Sequence, residues 1–160
     1  MQVEVIAAAE LDKEVLRNLM QLYIHDLSEA EGFDVDPHGR FWYRWLDHYW
    51  TQEGRHPYLV RVDGKWAGFV LVREHSSDGR HSIAEFFVMR KYRRLGVGTR
   101  VADQTLRSLP GKWEVHQAER NVTAQAFWRG VIAQVTGGAY EEVDGGEARP
   151  GPIQLFEVTH

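Results

Sequence analysis

The sequence contains no cysteine among its 160 residues. This absence removes disulfides, thiolate metal sites and a cysteine nucleophile together, and leaves any catalysis to oxygen and nitrogen groups. No apolar run approaches the ~20 residues needed to span a bilayer, and residues 1–7 lack a basic region ahead of a long apolar one. A cytoplasmic protein without a membrane partner is therefore expected. An excess of positive charge is missing too: 19 Lys and Arg stand against 23 Asp and Glu, a formal net charge of −4. Nucleic acid is not expected as a partner, because no overall basic field would attract it. The chain shows no internal repeat, no low-complexity tract and no Pro/Ser-rich linker. One domain over 1–160 is expected, 43% hydrophobic and long enough to bury a core.

What is present is a succession of short periodic segments. Val3, Val5 and Ala7 alternate with polar neighbours as in a half-buried strand. From Leu11 the period becomes helical, with Val15, Leu16, Leu19, Tyr23 and Leu27 on one face. After the break at 36–39, the rings Phe41, Trp42, Trp45 and Tyr49 repeat that spacing with Leu46 and predict a second helix ending near Gly54. Segments 58–62 and 66–72 are apolar runs joined through Asp63-Gly64, a hairpin signal. A strand over 83–89 runs into an arginine- and glycine-rich loop, and a helix follows with Val101, Ala102, Leu106 and Leu109 on one side. Segment 113–118 reads as a strand, 124–135 as a last helix ending at Gly137-Gly138, and two short strands lie near Tyr140 and Leu155. The order β-α-α-β-β-β-α-β-α-β-β implies an α/β fold with a mixed sheet covered on both faces.

The loop Arg93-Arg94-Leu95-Gly96-Val97-Gly98 is where chemistry first shows. A strand feeding a helix through such glycines turns several backbone N–H groups toward one point at the positive end of the helix dipole, which suits a pyrophosphate. A solvated turn is the plainer alternative. The loop is not a nucleotide-triphosphate P-loop, because the Lys-Ser/Thr pair does not follow the glycines. Nor is it a dinucleotide fingerprint, because Val101 stands at the third glycine position.

Residues 85–89, Tyr92-Arg93 and the Gly96/Gly98 loop resemble the central strand and pyrophosphate loop of the GNAT N-acetyltransferases, with their Gln/Arg-x-x-Gly-x-Gly/Ala signature. Asn121, Ala124, Phe127 and Trp128 resemble the Asn-x-x-Ala-x-x-Phe/Leu-Tyr motif that follows in that family. The resemblance implies acetyl-CoA as cofactor and direct transfer of the acetyl group to a primary amine of a small molecule or peptide. It also implies splayed fourth and fifth strands. Backbone at Val88 and Met89 would meet the pantetheine arm and the thioester, the amides of Arg94, Leu95, Gly96, Val97, Gly98 and Thr99 with the charge of Arg93 would hold the pyrophosphate, and Asn121, Phe127 and Trp128 would flank the arm.

Glu85, a carboxylate in an otherwise apolar strand, is the first candidate for the catalytic base, and His116 on the next strand is the second. A solvent-facing carboxylate and a surface histidine are the plain alternatives. Trp128 occupies the position of the family's acidic tyrosine and cannot release a proton. It packs either beside the pantetheine or in the core, and Tyr92 and Tyr140 are left as guesses for the acid. Substrate contacts are expected from Tyr23, Asp26 and Trp45, and the acidic run of Asp26, Glu29, Glu31, Asp34 and Asp36 offers attraction for a cationic amine or simply a solvated loop. No metal site is read from the sequence. Competing readings are an acyl-CoA-binding sensor without turnover and an interaction domain built on the aromatic patch 42–50. A homodimer paired through the last strands is a further expectation.

Overall fold

Asp63 and Gly64 both take positive φ, 49° and 78°, as a two-residue turn between right-twisted strands requires. They join β2 (Arg55–Val62) to β3 (Lys65–Ser77). Asp78 and Gly79 repeat the device with φ of 48° and 73°, joining β3 to β4 (Arg80–Val88). This computed structural model describes every residue apart from the side chains of Ser76 and Ser77. β1 (Val3–Ala7) pairs antiparallel with β2 at one edge. β5 (Gly111–His116), β7 (Pro152–Val158) and β6 (Tyr140–Asp144) complete a seven-stranded sheet in the order β1-β2-β3-β4-β5-β7-β6. Among the described residues, only β4 and β5 run parallel. The mixed sheet expected from the element order is thus formed, with a second Asp-Gly hairpin, at Asp78-Gly79, that the expected elements did not include.

Helices cover both faces because each carries one apolar stripe. On one side α1 (Lys13–Glu31) buries Leu16, Leu19, Met20 and Ile24 against Leu59, Phe69, Leu71 and Phe87. On the other, α3 (Val97–Ser108) and α4 (Val122–Thr136) bury Val101, Leu106, Val131 and Ile132 against Val60, Val70, Val72, Trp113, Val115 and Phe156. Left-handed glycines, Gly32 and Gly137, end α1 and α4. Among the described residues, no helix is long and apolar enough to cross a membrane.

The second helix expected over 41–49 does not form. A single turn, α2 (His48–Thr51), is all that appears in this stretch. The side-chain amide of Gln21 on α1 accepts from Phe41 N–H at 2.7 Å and donates to Phe41 C=O at 2.7 Å. The backbone at 41 is therefore satisfied across to α1 and not along a helix of its own. Upstream, Asp36 Oδ1 accepts from the N–H groups of His38 and Arg40 and fixes a turn. Phe41, Tyr43 and Tyr49 then pack into the α1-side core from an irregular segment and its single turn, while Trp42 and Trp45 stay exposed; helical spacing had only imitated a helix.

Candidate active site

The parallel pairing of β4 with β5 is confined to His81↔Trp113 and Ser82↔Glu114. Beyond these pairs the two strands diverge, leaving backbone groups on the facing edges without a ladder partner. A β-bulge sits where they part: Leu71 faces Glu85 while Val72 faces Ile83, so Ala84 is an extra residue in β4. A cleft of ≈ 640 Å³ opens here on the α1 face, lined by residues that include Tyr43, Trp45, Tyr49, Arg55, Arg73, Glu85, Glu114, His116 and Arg149.

Glu85 lies at the inner end of this cleft, next to the bulge. Its Oε1 accepts from the Tyr23 hydroxyl at 3.1 Å, and the Tyr43 hydroxyl adds a second polar contact. Burial pushes its carboxyl up to about 7, and the two hydroxyls, which favour the ionised form, restrain that rise. The surroundings respond in kind. Burial and the neighbouring Glu85 charge push both Tyr23 and Tyr43 above the ordinary tyrosine range, and burial pushes Tyr49 up to about 12. A carboxylate that exchanges its proton near neutrality at the wall of an open cleft is equipped to act as a base.

On the far side of β4 the chain makes a different kind of site. Arg94 and Gly96 take positive φ of 63° and 80°, and α3 begins at Val97 with no side chain capping it. The first bond along the helix is Arg100 N–H to Gly96 C=O, so the N–H groups of Val97, Gly98 and Thr99 have no partner within the helix. With Arg94 in the turn ahead of it, this terminus fits a diphosphate, whereas the guanidinium of Arg93, expected there, is engaged by Asp26 and the Val88 carbonyl. Gly98 serves packing as well, because a Cβ there would lie 3.1 Å from Phe127 Cε1. Met89 N–H, expected to be free for a bound thioester, instead donates to Ala67 C=O at 2.8 Å. Alternation along the strand then turns the Val88 N–H and C=O toward the β5 side, where the carbonyl accepts from Arg93 Nε at 2.8 Å.

The other expected residues are distributed unevenly. Trp45 lines the cleft, and so does His116, whose Nε2 lies 3.2 and 3.1 Å from the carbonyls of Arg149 and Pro150. Asp26 does not line it. Its carboxylate is bridged by Arg90 and Arg93, which hold it below the ordinary carboxylate range although burial opposes them. Of the acidic run, Glu31 lines a second, smaller cavity that shares His116 and Arg149 with the cleft. Asn121 Oδ1 caps α4 by accepting from Ala124 N–H at 3.1 Å. Trp128 is buried in the core, edge-on to Phe86 and Phe127. Tyr92 is buried as well.

Sequence reasoning missed Tyr43, Tyr49, Arg55 and Arg73. Tyr49 fell on the face of the expected helix, and Tyr43, in the same segment, lies off that face. The arginines sit directly opposite each other on β2 and β3, an arrangement of like charges that destabilises a sheet. Counting back from the Asp63-Gly64 turn gives this pairing only when the bulge between Val60 and Arg61 is included.

Comparison with known proteins places this geometry. An acetyltransferase from Thermus thermophilus matches 99% of this chain and 98% of its own at TM-score 0.71 and 13% identity. The ribosomal-protein-S18-alanine N-acetyltransferase from Escherichia coli matches 99% and 96% at TM-score 0.64 and 11% identity. An acetyltransferase from Bacillus anthracis str. Ames, solved in complex with acetyl coenzyme A, matches 68% and 64% at TM-score 0.50 and 18% identity. Such identities establish the fold alone. No curated protein sequence gives a significant match. The profile of the Acetyltransferase (GNAT) family, whose acyl donor is acetyl-CoA, covers residues 17–131. That span holds most of α1, the bulged β4, the uncapped start of α3 and most of α4, and it makes this chain a member of the GNAT acetyltransferase family.

Proposed function

We propose that the protein transfers an acetyl group from acetyl-CoA directly to a primary amine, with Glu85 as the proton acceptor. The observation that carries the reading is Glu85 itself, at the point where β4 leaves β5, with a carboxyl pushed up to about 7. Bound acetyl-CoA supplies the electrophilic thioester carbonyl. The amides of Val97, Gly98 and Thr99, with Arg94, would hold its diphosphate, and the Val88 N–H is left for the arm or the carbonyl. Phe127 closes the floor between α3 and α4. As the new C–N bond forms, the thioester C–S bond breaks and CoA would leave as its thiolate, to be protonated from solvent, while Glu85 takes the proton that the attacking nitrogen must lose; Tyr23 and Tyr43 keep the carboxylate aimed into the cleft. His116 forms the opposite wall, with Nε2 engaged by two backbone carbonyls.

The cleft also favours one kind of amine. Glu114 is engaged by Arg149 at 3.5 Å, whereas Arg55 and Arg73, opposite each other on β2 and β3, line the same cleft as Glu85. An acceptor bringing a carboxylate along with its amine would relieve this arginine pair, whereas a polyamine would meet two like charges.

Thiol release in the presence of an amine panel tests the reading. Amines bearing a carboxylate are expected to turn over, and Glu85→Gln is expected to lower kcat by roughly 10²- to 10⁴-fold while acetyl-CoA still raises the melting temperature. Gly96→Glu is expected to abolish that thermal shift. Full activity in Glu85→Gln would remove Glu85 from the role of base, and a parent protein that gains no stability from saturating acetyl-CoA would overturn the cofactor assignment.

A further inference from the structure

At the end of β4 remote from the cofactor loop, the bulged hairpin brings together three side chains that no sequence spacing announces. The β3–β4 ladder is interrupted between Arg73 and Ser77, and His75 within the interruption takes a positive φ of 52°, which few residues other than glycine adopt. One ligand atom each from Glu74, His75 and His81 lies within 4.8 Å of the others, and the two imidazole centroids are 4.8 Å apart.

The hydrogen bonds determine which atoms are offered. His75 Nδ1 lies 3.0 Å from the Gly79 carbonyl and His81 Nε2 lies 3.3 Å from the Pro110 carbonyl. A ring nitrogen facing a carbonyl must carry its hydrogen, so in the neutral tautomers the lone pairs are on His75 Nε2 and His81 Nδ1. The first lies 3.7 Å from Glu74 Oε1. The second is approached by His75 N–H, at a long 3.4 Å. Glu74 Oε2 is held in turn by His56 Nε2 at 2.9 Å. Gly111 completes the seat, because a Cβ there would lie 3.0 Å from His81 Nε2. Two histidines that donate their outer N–H to backbone carbonyls, beside a carboxylate oriented by a third histidine, reproduce the outer shell that fixes ligands around a metal ion.

We propose that Glu74, His75 and His81 form a binding site for one divalent transition-metal ion of the Zn²⁺ type, with His56 as a positioning residue. Two imidazoles and a carboxylate suit Zn²⁺ or its neighbours and leave a fourth position for water. Mg²⁺ and Ca²⁺, which take oxygen ligands, are poorly matched. Donor atoms around a tetrahedral Zn²⁺ are about 3.4 Å apart for bonds of about 2.1 Å, so the cluster must close by roughly an ångström. The exposed His75 ring and the Glu74 side chain have the freedom to do so. The bound ion would clasp the hairpin whose neighbours Arg73 and Ser82 line the acceptor cleft.

Calorimetric titration of ZnCl₂ into the chelator-treated protein tests the proposal. One equivalent is expected to bind, with MgCl₂ giving no heat and Zn²⁺ raising the melting temperature. His75→Ala changes an exposed ring, and Glu74→Gln preserves size, so neither is expected to unfold the chain. Each should weaken binding by about 100-fold or more, and His56→Ala by about 10-fold. Replacing His38, which lies in another turn, should change nothing. A parent that binds no Zn²⁺, or variants at 74 and 75 that bind it as tightly as the parent, would overturn the site.

Discussion

Removing the Tyr23 hydroxyl takes away a contact that favours the ionised form of Glu85 while leaving the ring packed against Phe69 and Phe87. In Tyr23→Phe the carboxyl should therefore rise further, and the acidic limb of kcat/KM, expected near 7 in the parent if Glu85 sets it, should move up by about one pH unit. An unchanged limb would mean that another group sets it. The same carboxyl makes stability depend on pH with a definite sign. Its folded value lies above the unfolded one of 4.5, so between 4.5 and about 7 the folded chain holds a proton that the unfolded chain has lost. Stability from this group is fully present below pH 4.5 and is lost as pH rises through 7. Glu85→Gln escapes the loss and is expected to be roughly 3 kcal/mol more stable than the parent at pH 8, with the difference largely gone by pH 4.5. Urea denaturation at the two pH values reads this directly. A variant that is inactive yet more stable would be consistent with a destabilised catalytic group.

The strands and helices that a sequence reader could place were those whose ends carry their own chemistry. Asp63-Gly64 announced β2–β3, Pro110-Gly111 and Gly137-Gly138 closed α3 and α4, and the loop before α3 stood out by its arginines and glycines. Asp78-Gly79 carried the same signal but was missed, because residues 74–77 are polar and do not look like a strand. The irregular 41–47 segment was illegible for a different reason: its conformation is dictated by Gln21, twenty residues away. The cleft depended on both, since Tyr43 arrives from that segment and Arg73 from the extended β3. What holds β3 against β4 beneath the cleft is also a non-local fact. A Cβ on Gly68 would lie 1.9 Å from the Phe87 carbonyl oxygen and 3.1 Å from Val88 Cα, backbone atoms that cannot swing away. Gly68→Ala is therefore expected to separate the strands and destabilise the protein by about 3 kcal/mol or more, with acetyl-CoA binding lost because Val88 moves. Gly98→Ala meets only the edge of the Phe127 ring at 3.1 Å and should lose about 1 kcal/mol. Urea midpoints that reversed this order would contradict the packing described for β3 and β4.

The whole sheet ends at β6, and the chemistry of that edge bears on the homodimer expected from the sequence. Glu141, Glu142, Val143 and Asp144 are all exposed on it. Glu142 is paired with Arg129 at 2.8 and 3.0 Å, but Glu141 and Asp144 have no such cation among the described residues. Two copies joining antiparallel through β6 would bring these carboxylates close across the dyad, and like charges on facing strands oppose pairing. The formal net charge of −4 adds a weaker repulsion of the same sign, felt most at low salt. The edge therefore reads as guarded, and the chain is expected to sediment as a monomer at tens of micromolar in low-salt buffer. Replacing Glu141 and Asp144 with lysine would reverse the charge at two of the edge positions and leave Glu142 of one copy facing cations of the other, so the double variant is expected to associate more strongly than the parent. A parent that sediments as a dimer at low salt, and whose association these substitutions do not alter, would show that the copies meet through another surface.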